Sequence, residues 1–251
     1  MKKRIWAAAA ASTLLPSATL LAANGDFPSA PPLIAQVLVL VFLALLPWLV
    51  ILLTSYLKMV VVLSILRQAM GVQNAPPNQV LNGIALILAV YVMFPTGYAM
   101  YQNVKPIINT QMPSGILAEG AAQWAVEAID RAKEPLRDFL IKNSNQGEQR
   151  TYYKMAQKFF PPEVRGSVTP NDFIVVVPSF ITTQVQDAFQ IGVLIYLPFF
   201  VVDLVTSNIL LAMGMMMLSP MTIALPLKLL LLVMMDGWSL VLQGLLLSFK
   251  P

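Results

Sequence analysis

The chain has no cysteine and no histidine. The first absence excludes disulfides, thiolate chemistry and cysteine-based zinc sites. The second removes the side chain that most often serves as a general base near neutral pH. Carboxylates are left as acid–base groups, so catalysis is disfavoured without being closed off. Charge is scarce as well. Asp, Glu, Lys and Arg make up 11% of the 251 residues, against about 25% in a soluble domain. No GxxxxGK[ST] phosphate loop occurs, so energy for any driven process comes from another protein and no cofactor is implied. The net charge of +4 is no sign of nucleic-acid binding. Lys2, Lys3 and Arg4 supply three of those charges, and no basic stripe with interleaved aromatics follows.

What fills the chain is apolar sequence, with a mean hydropathy of +0.71. This predicts an all-α membrane protein with modest soluble content. The organising stretch is Phe189–Phe249, in which two long apolar segments flank a turn at Ser219-Pro220. Each flank is long enough for a bilayer core, which needs about 20 apolar residues. A helical hairpin is the form that satisfies its own backbone in lipid. Its tip is anomalous, because turns normally carry polar residues facing water. Met213, Met215, Met216, Met217 and Met221 are five of the chain's 14 methionines. Such a tip points to burial in lipid or protein, or to a soft rim inside a pore.

Residues 1–23 read as a signal peptide, with a basic start, an Ala/Leu centre and small residues at the end. Leu21 at the minus-three position departs from the usual small residue, and the alternative is an uncleaved first membrane helix. Cleavage would place Asn24 outside the cytoplasm. Residues 24–101 form a first helical hairpin behind a Gly/Pro/Asp linker at 24–32. Within it, Leu33–Leu57 is free of charge, with Pro47 expected to kink it. Gly71 is a plausible helix stop and Asn78 a plausible cap. The next helix is expected from about Gln79 to Tyr101, broken at its far end by Pro95-Thr96-Gly97. The connecting loop carries Lys58 and Arg67 and no acid, which places it on the cytoplasmic side.

Residues 102–188 hold nine Lys/Arg and nine Asp/Glu. They are expected to form a polar extracytoplasmic helical segment. An amphipathic helix is expected over Ala118–Ile141, a loop over Asn143–Arg150 and a short helix over Tyr152–Phe160. The preferred reading of this part is a solvated connecting cap. Residues 189–251 form the second hairpin.

Asp203, Lys228 and Asp236 interrupt that hairpin. A charge at mid-membrane costs about 2.5–3.5 kcal/mol even on a lenient scale, so these residues face protein or water. Lys58 and Asp187 complete the set of candidate inter-subunit or intramembrane charges. Two readings stand: a set of inter-helix ion pairs, and a direct role in ion or proton conduction. Counted from Pro220, Asp203 lies 17 residues back, Asp236 16 forward and Lys228 eight forward. The offset of Lys228 from either acid is about 12–13 Å along a helix. On this count its partner is expected on another element or another subunit, with Asp203 or Asp187 of a neighbour as candidates.

The string LTSYLKMVVVLSILRQAMGVQNAPPNQVLNGIALILAVYVMFP (Leu53–Pro95) resembles the FliP/SctR export-gate family of type III secretion systems. So does FQIGVLIYLPFFVVDLVTSNILLAMGMMMLSPMTIALPLKLLLLVMMDGW (Phe189–Trp238). The string DLVTSNILLAMGMMMLSPMTI looks more like the injectisome branch than the flagellar one. The resemblance implies kinked hairpins in a right-handed helical assembly within the bacterial inner membrane, projecting toward the periplasm. It implies a homo-oligomer, a pentamer, with two small membrane proteins (SctS/FliQ-like and SctT/FliR-like). Inner rod or needle components would lie above, and export-gate and ATPase-associated proteins below, with unfolded secreted proteins in transit and no nucleic acid. It also implies no catalysis. The family's methionine gasket falls on Met215, Met216 and Met217, with Met213 and Met221 adjacent. Flexible thioethers close against one another and reshape around different side chains, although ordinary core packing of these methionines stays an alternative. The rival function is a transporter or proton-conducting subunit using Asp203 and Asp236.

Overall fold

Apolar runs in lipid must bond their own backbone. The computed structural model is accordingly helical, with no strand among the described residues, which are 33–72, 75–111, 121–215 and 217–250. The signal peptide and linker expected at residues 1–32, and Met216, lie outside them. The helices are α1 Leu33–Leu53, α2 Tyr56–Met70, α3 Asn78–Gln111, α4 Ala121–Lys142 and α5 Gln146–Phe159. They are followed by α6 Pro162–Arg165, α7 Phe173–Ala212, α8 Pro220–Met234 and α9 Gly237–Leu247.

The first helix stops at Leu53, short of Leu57. Pro47 sits inside α1, and the chain turns by 75° at Thr54-Ser55. Hydroxyls mark the site of the break: Thr54 takes a carbonyl that a continuing helix would bond, and Ser55 ties the break to α3. Thr54 Oγ1 donates to Val50 O at 2.7 Å, and the buried Ser55 donates to Ala89 O at 3.5 Å. α2 stops at Gly71 as expected, in the left-handed conformation with φ +76°.

Asn78 is not the cap of α3. Its side-chain oxygen accepts from Arg67, and the carbonyl of Pro77 takes the first amides, from Val80 and Leu81. Nor does Pro95 break α3, which runs 34 residues through Pro95 and Pro106. A proline inside a membrane-length helix is tolerated where neighbouring groups take up the freed carbonyl, so an interior proline is not by itself a stop.

In the polar part, α5 begins at Gln146, ahead of the expected Tyr152. Asn145 caps it by accepting from Gly147 N at 2.8 Å. Before α7, the Asp172 carboxylate accepts the Thr169 amide at 2.6 Å. That bond, with a second one from Thr169 and the Arg137 charge nearby, holds the Asp172 carboxyl below its ordinary range. α7 then runs 40 residues without interruption to the hairpin tip. The return limb is two helices, with α9 bent 61° away from α8 at Asp236, whose φ is +48°.

α2 sits at the centre of the core. Its Met59, Val62 and Leu63 pack with Leu81 and Ala85 of α3, Leu140 of α4, Phe180 and Ala188 of α7 and Leu245 of α9. Against α7 the approach is close: a Cβ at Gly192 would lie 2.4 Å from Ile65 Cδ1. α3 over Asn78–Ile107 and α7 are long and apolar enough to cross a membrane. Among the described residues the count rises to four if each bent pair is one span, by length and composition.

Two outcomes follow from this packing. Gly192→Ala should cost about 1–3 kcal/mol by overpacking against Ile65, and Ile65→Val should recover part of it. Heat or denaturant resistance in detergent measures both. The depressed Asp172 carboxyl contributes stability in full above the ordinary value of 3.8 and loses it as the pH falls through the lowered folded value. Asp172→Asn should therefore abolish the acid-side loss of amide protection at Thr169. An unchanged acid limb in hydrogen exchange would assign the loss to another carboxylate.

Candidate functional site

A buried ammonium is tolerated only beside a partner. Lys58, in the first turn of α2, is 2% exposed and is among the largest fully buried side chains. Its Nζ donates to Asp187 Oδ2 of α7 at 2.9 Å and lies 4.7 Å from the centroid of the Phe249 ring. Lys228 of α8 is 6% exposed. Its Nζ donates to Asp203 Oδ2 of α7 at 2.6 Å and to Ala69 O of α2 at 3.1 Å. Ala69 lies in the last turn of α2, where unbonded carbonyls and the helix dipole favour a cation.

The pairing of Lys228 with Asp203 inside one hairpin corrects the expectation that register forbids it. Asp203 lies nine residues before the end of α7 at Ala212, and Lys228 eight after the start of α8 at Pro220. At about 1.5 Å per residue the two are nearly level. Residues 213–219 form the tip itself. Counting from Pro220 assigned that whole tip to the Asp203 limb. Asp187 is likewise engaged within the chain, by Lys58. Asp236 stands apart at the α8–α9 break, exposed and in no ion pair among the described residues.

A second cluster escaped the sequence reading. Asn143 Nδ2 donates to Phe139 O and Lys250 O, both at 3.0 Å, and its Oδ1 accepts from Lys250 N at 2.9 Å. Gln184 Nε2 of α7 donates to Asn143 O at 2.8 Å. Residues 143 and 250 are 107 positions apart. The only local signal was an Asn at a helix end, which fits a loop equally well.

The methionine tip is built on a glycine. Gly214 at φ +72° closes α7, with its amide on Leu211 O and the Met215 amide on Leu210 O. This is the paired bonding of a Schellman end, and a side chain at the left-handed position would strain it. Around it Met213, Met215, Met217 and Met221 are all exposed, Met217 completely. Among the described residues no group of carboxylates could hold a metal. A groove of about 430 Å³ between α1 and α3, lined by Val50, Leu86, Met93, Phe94 and Tyr98, offers apolar surface and no chemistry.

Residues 39–245 match the profile of the FliP family. The chain belongs to the FliP family. It is 42% identical over 210 residues to the hypersensitivity response secretion protein HrcR of Ralstonia nicotianae, covering 84% of this chain and 94% of that one. It is 42% identical over 212 residues to the virulence protein YscR of Salmonella typhimurium, with the same coverage. To the flagellar biosynthetic protein FliP of Cereibacter sphaeroides it is 41% identical over 208 residues, 82% of this chain and 64% of that one. Proteins named for virulence or harpin secretion predominate among the matches, on the injectisome side of the family. As a FliP-family protein with membrane-length apolar helices, the chain is a non-catalytic component of the bacterial inner membrane.

The FliP match takes in both lysine pairs, Asp236 and the methionine loop. Within this FliP-family chain both acids lie on α7, 16 residues or about 24 Å apart. Lys58 belongs to the start of α2, and Lys228 reaches the carbonyl end of α2 at Ala69. Lys228→Ala would strand Asp203 and the Ala69 carbonyl, at about 1.5–3 kcal/mol for a hydrogen bond to a charged group. The loss should appear in the isolated subunit, as reduced protease resistance of the α7–α8 hairpin in detergent. Lys228→Met with Asp203→Asn should recover part of it. Normal resistance of the single variant in the isolated subunit would place the pair's energy elsewhere.

Proposed function

We propose that several copies of this type III export-apparatus subunit enclose a gated opening through which unfolded substrate proteins enter the secretion channel. Met213, Met215, Met216, Met217 and Met221 form its closing ring. The observation that carries this reading is the tip of the α7–α8 hairpin. Five methionines in nine residues surround a glycine-closed helix end, and the four described ones are exposed on their own subunit. A methionine loop that served ordinary packing would be covered by its own chain. Polarisable, unbranched thioethers suit a seal that must admit many sequences and then close.

The stem supports an assembled state as well. Leu194, Leu197, Val201 and Leu204 of α7 and Val233 and Met234 of α8 are exposed. That apolar surface needs lipid or further protein against it. On this reading the chain forms a pentamer with the SctS/FliQ-like and SctT/FliR-like proteins, with rod or needle components above and export-gate and ATPase-associated proteins below. Residues 24–32 and 102–170 lie outside the cytoplasm, and the Arg67–Asn78 turn faces it. The names of the relatives, one a hypersensitivity response secretion protein and another a virulence protein, agree with this role.

A conducting role for Asp203 and Asp236 has less support. Asp203 is held by the Lys228 ammonium at 2.6 Å, and Asp236 lies on the far side of Lys228 at a helix break. The two acids therefore do not form a relay within the subunit.

Replacing Met215, Met216 and Met217 together by Ala removes flexible bulk once per copy. The resting assembly should form normally and leak ions or small solutes, detectable as membrane conductance or dye uptake without active secretion. Resting conductance equal to that of the unsubstituted assembly would argue for simple packing.

A further inference from the structure

We propose that Asn143 is a positioning residue that clamps Phe249 and Lys250 over the Lys58–Asp187 pair, and so fastens the polar helices to the apolar ones. Asn143 directly follows α4 and is buried. It grips both the N–H and the C=O of Lys250, the double contact that one strand makes with another, and spends its remaining donor on Phe139 O. That uses three of the four hydrogen bonds its amide can make. Its own carbonyl accepts from Gln184, one α-turn before Asp187 on α7. The clamp thus ties α4, α7 and the residues after α9 at one point.

Holding Lys250 by its backbone sets the Phe249 ring. The ring lies nearly parallel to Phe139 at 6.5 Å between centroids, and its face covers the Lys58 ammonium. Asp187 by itself is a poor cover, since its side chain is 40% exposed while that of Lys58 is 2% exposed. The aromatic face closes the side the carboxylate leaves open, and it does so attractively, as a ring quadrupole toward a cation. Gln184 Oε1 is buried with no partner, which marks this junction as a polar interior held shut by packing. Phe249 and Lys250 lie beyond the residues matched to the family profile, which end at 245. The inference stands on packing alone and holds whether or not the methionine loop is a gate.

The test is amine acetylation of the full chain in bacterial membranes with a small reagent, read residue by residue by mass spectrometry. Lys228, buried at the other end of α2, is the internal control. Asn143→Ala should raise the modification rate of Lys58 about tenfold, the loss expected for roughly one net hydrogen bond, and leave Lys228 unchanged. Phe249→Leu keeps the backbone grip and most of the apolar volume and removes the ring face. It should also raise Lys58 labelling with Lys228 unchanged, and it decides the matter by itself if Asn143→Ala does not accumulate. Lys58 as protected as in the unsubstituted chain, in either variant that accumulates, overturns the clamp. So does a joint rise of Lys58 and Lys228, which would mean general loosening.

Discussion

An ammonium inside an apolar helix bundle must be given an acceptor, and here that requirement is met twice against the same helix. Lys58 leaves α2 for Asp187, and Lys228 brings Asp203 to the carbonyl end of α2 at Ala69. The attraction offsets a desolvation cost, so such pairs contribute little net stability compared with apolar packing. Their effect is on register. A one-turn slip of α2 along α7 would strand Lys58 and Asp187 and take the Ala69 carbonyl away from Lys228, whereas the Val, Leu and Met contacts between the helices would tolerate it far better. The close approach of Gly192 to Ile65 sits between the two pairs and depends on the same register.

With α2 held to α7, the bends elsewhere acquire a purpose. The 75° break ahead of Tyr56 and the 61° break at Asp236 let α1 and α9 leave the directions of α2 and α8. Neither break is at a proline. The first is at hydroxyl residues, the second at a non-glycine residue in the left-handed region, a conformation that persists only where surrounding packing enforces it. The prolines at 47, 95, 106, 135, 178, 198 and 226 are all absorbed inside helices, and none of these seven ends its helix.

The hairpin formed by α7 and α8 is then a stiff arm with a soft end. Its stem is bolted by Lys228, and its end is a seven-residue loop launched from Gly214. On the proposed gating reading, a methionine tip on a paired stem lets the tip reshape while its support stays put. The opposite side, where α4, α7 and Phe249–Lys250 meet, is held for a different reason: the Asn143 and Gln184 amides tie backbone groups of three segments together, while Gln184 Oε1 stays unpartnered.

Composition and pattern by themselves determined that the chain is helical and membrane-bound. They also marked Gly71 as a stop, Met213–Met221 as an odd tip, and Lys58, Asp187, Asp203, Lys228 and Asp236 as charges needing an account. These are local properties, because hydropathy, left-handed backbone and the cost of a charge in lipid are felt residue by residue. Tertiary structure decided who satisfies whom. The Lys228–Asp203 contact depends on where two helices end, and a count from a single proline missed the seven-residue tip between them. The breaks at Thr54-Ser55 and Asp236, and the uninterrupted α3, depend on whether freed carbonyls find partners nearby. The grip of Asn143 on Lys250 joins residues more than a hundred positions apart, and no periodicity reports such a pairing, because only closure of the chain brings the two groups within hydrogen-bonding distance.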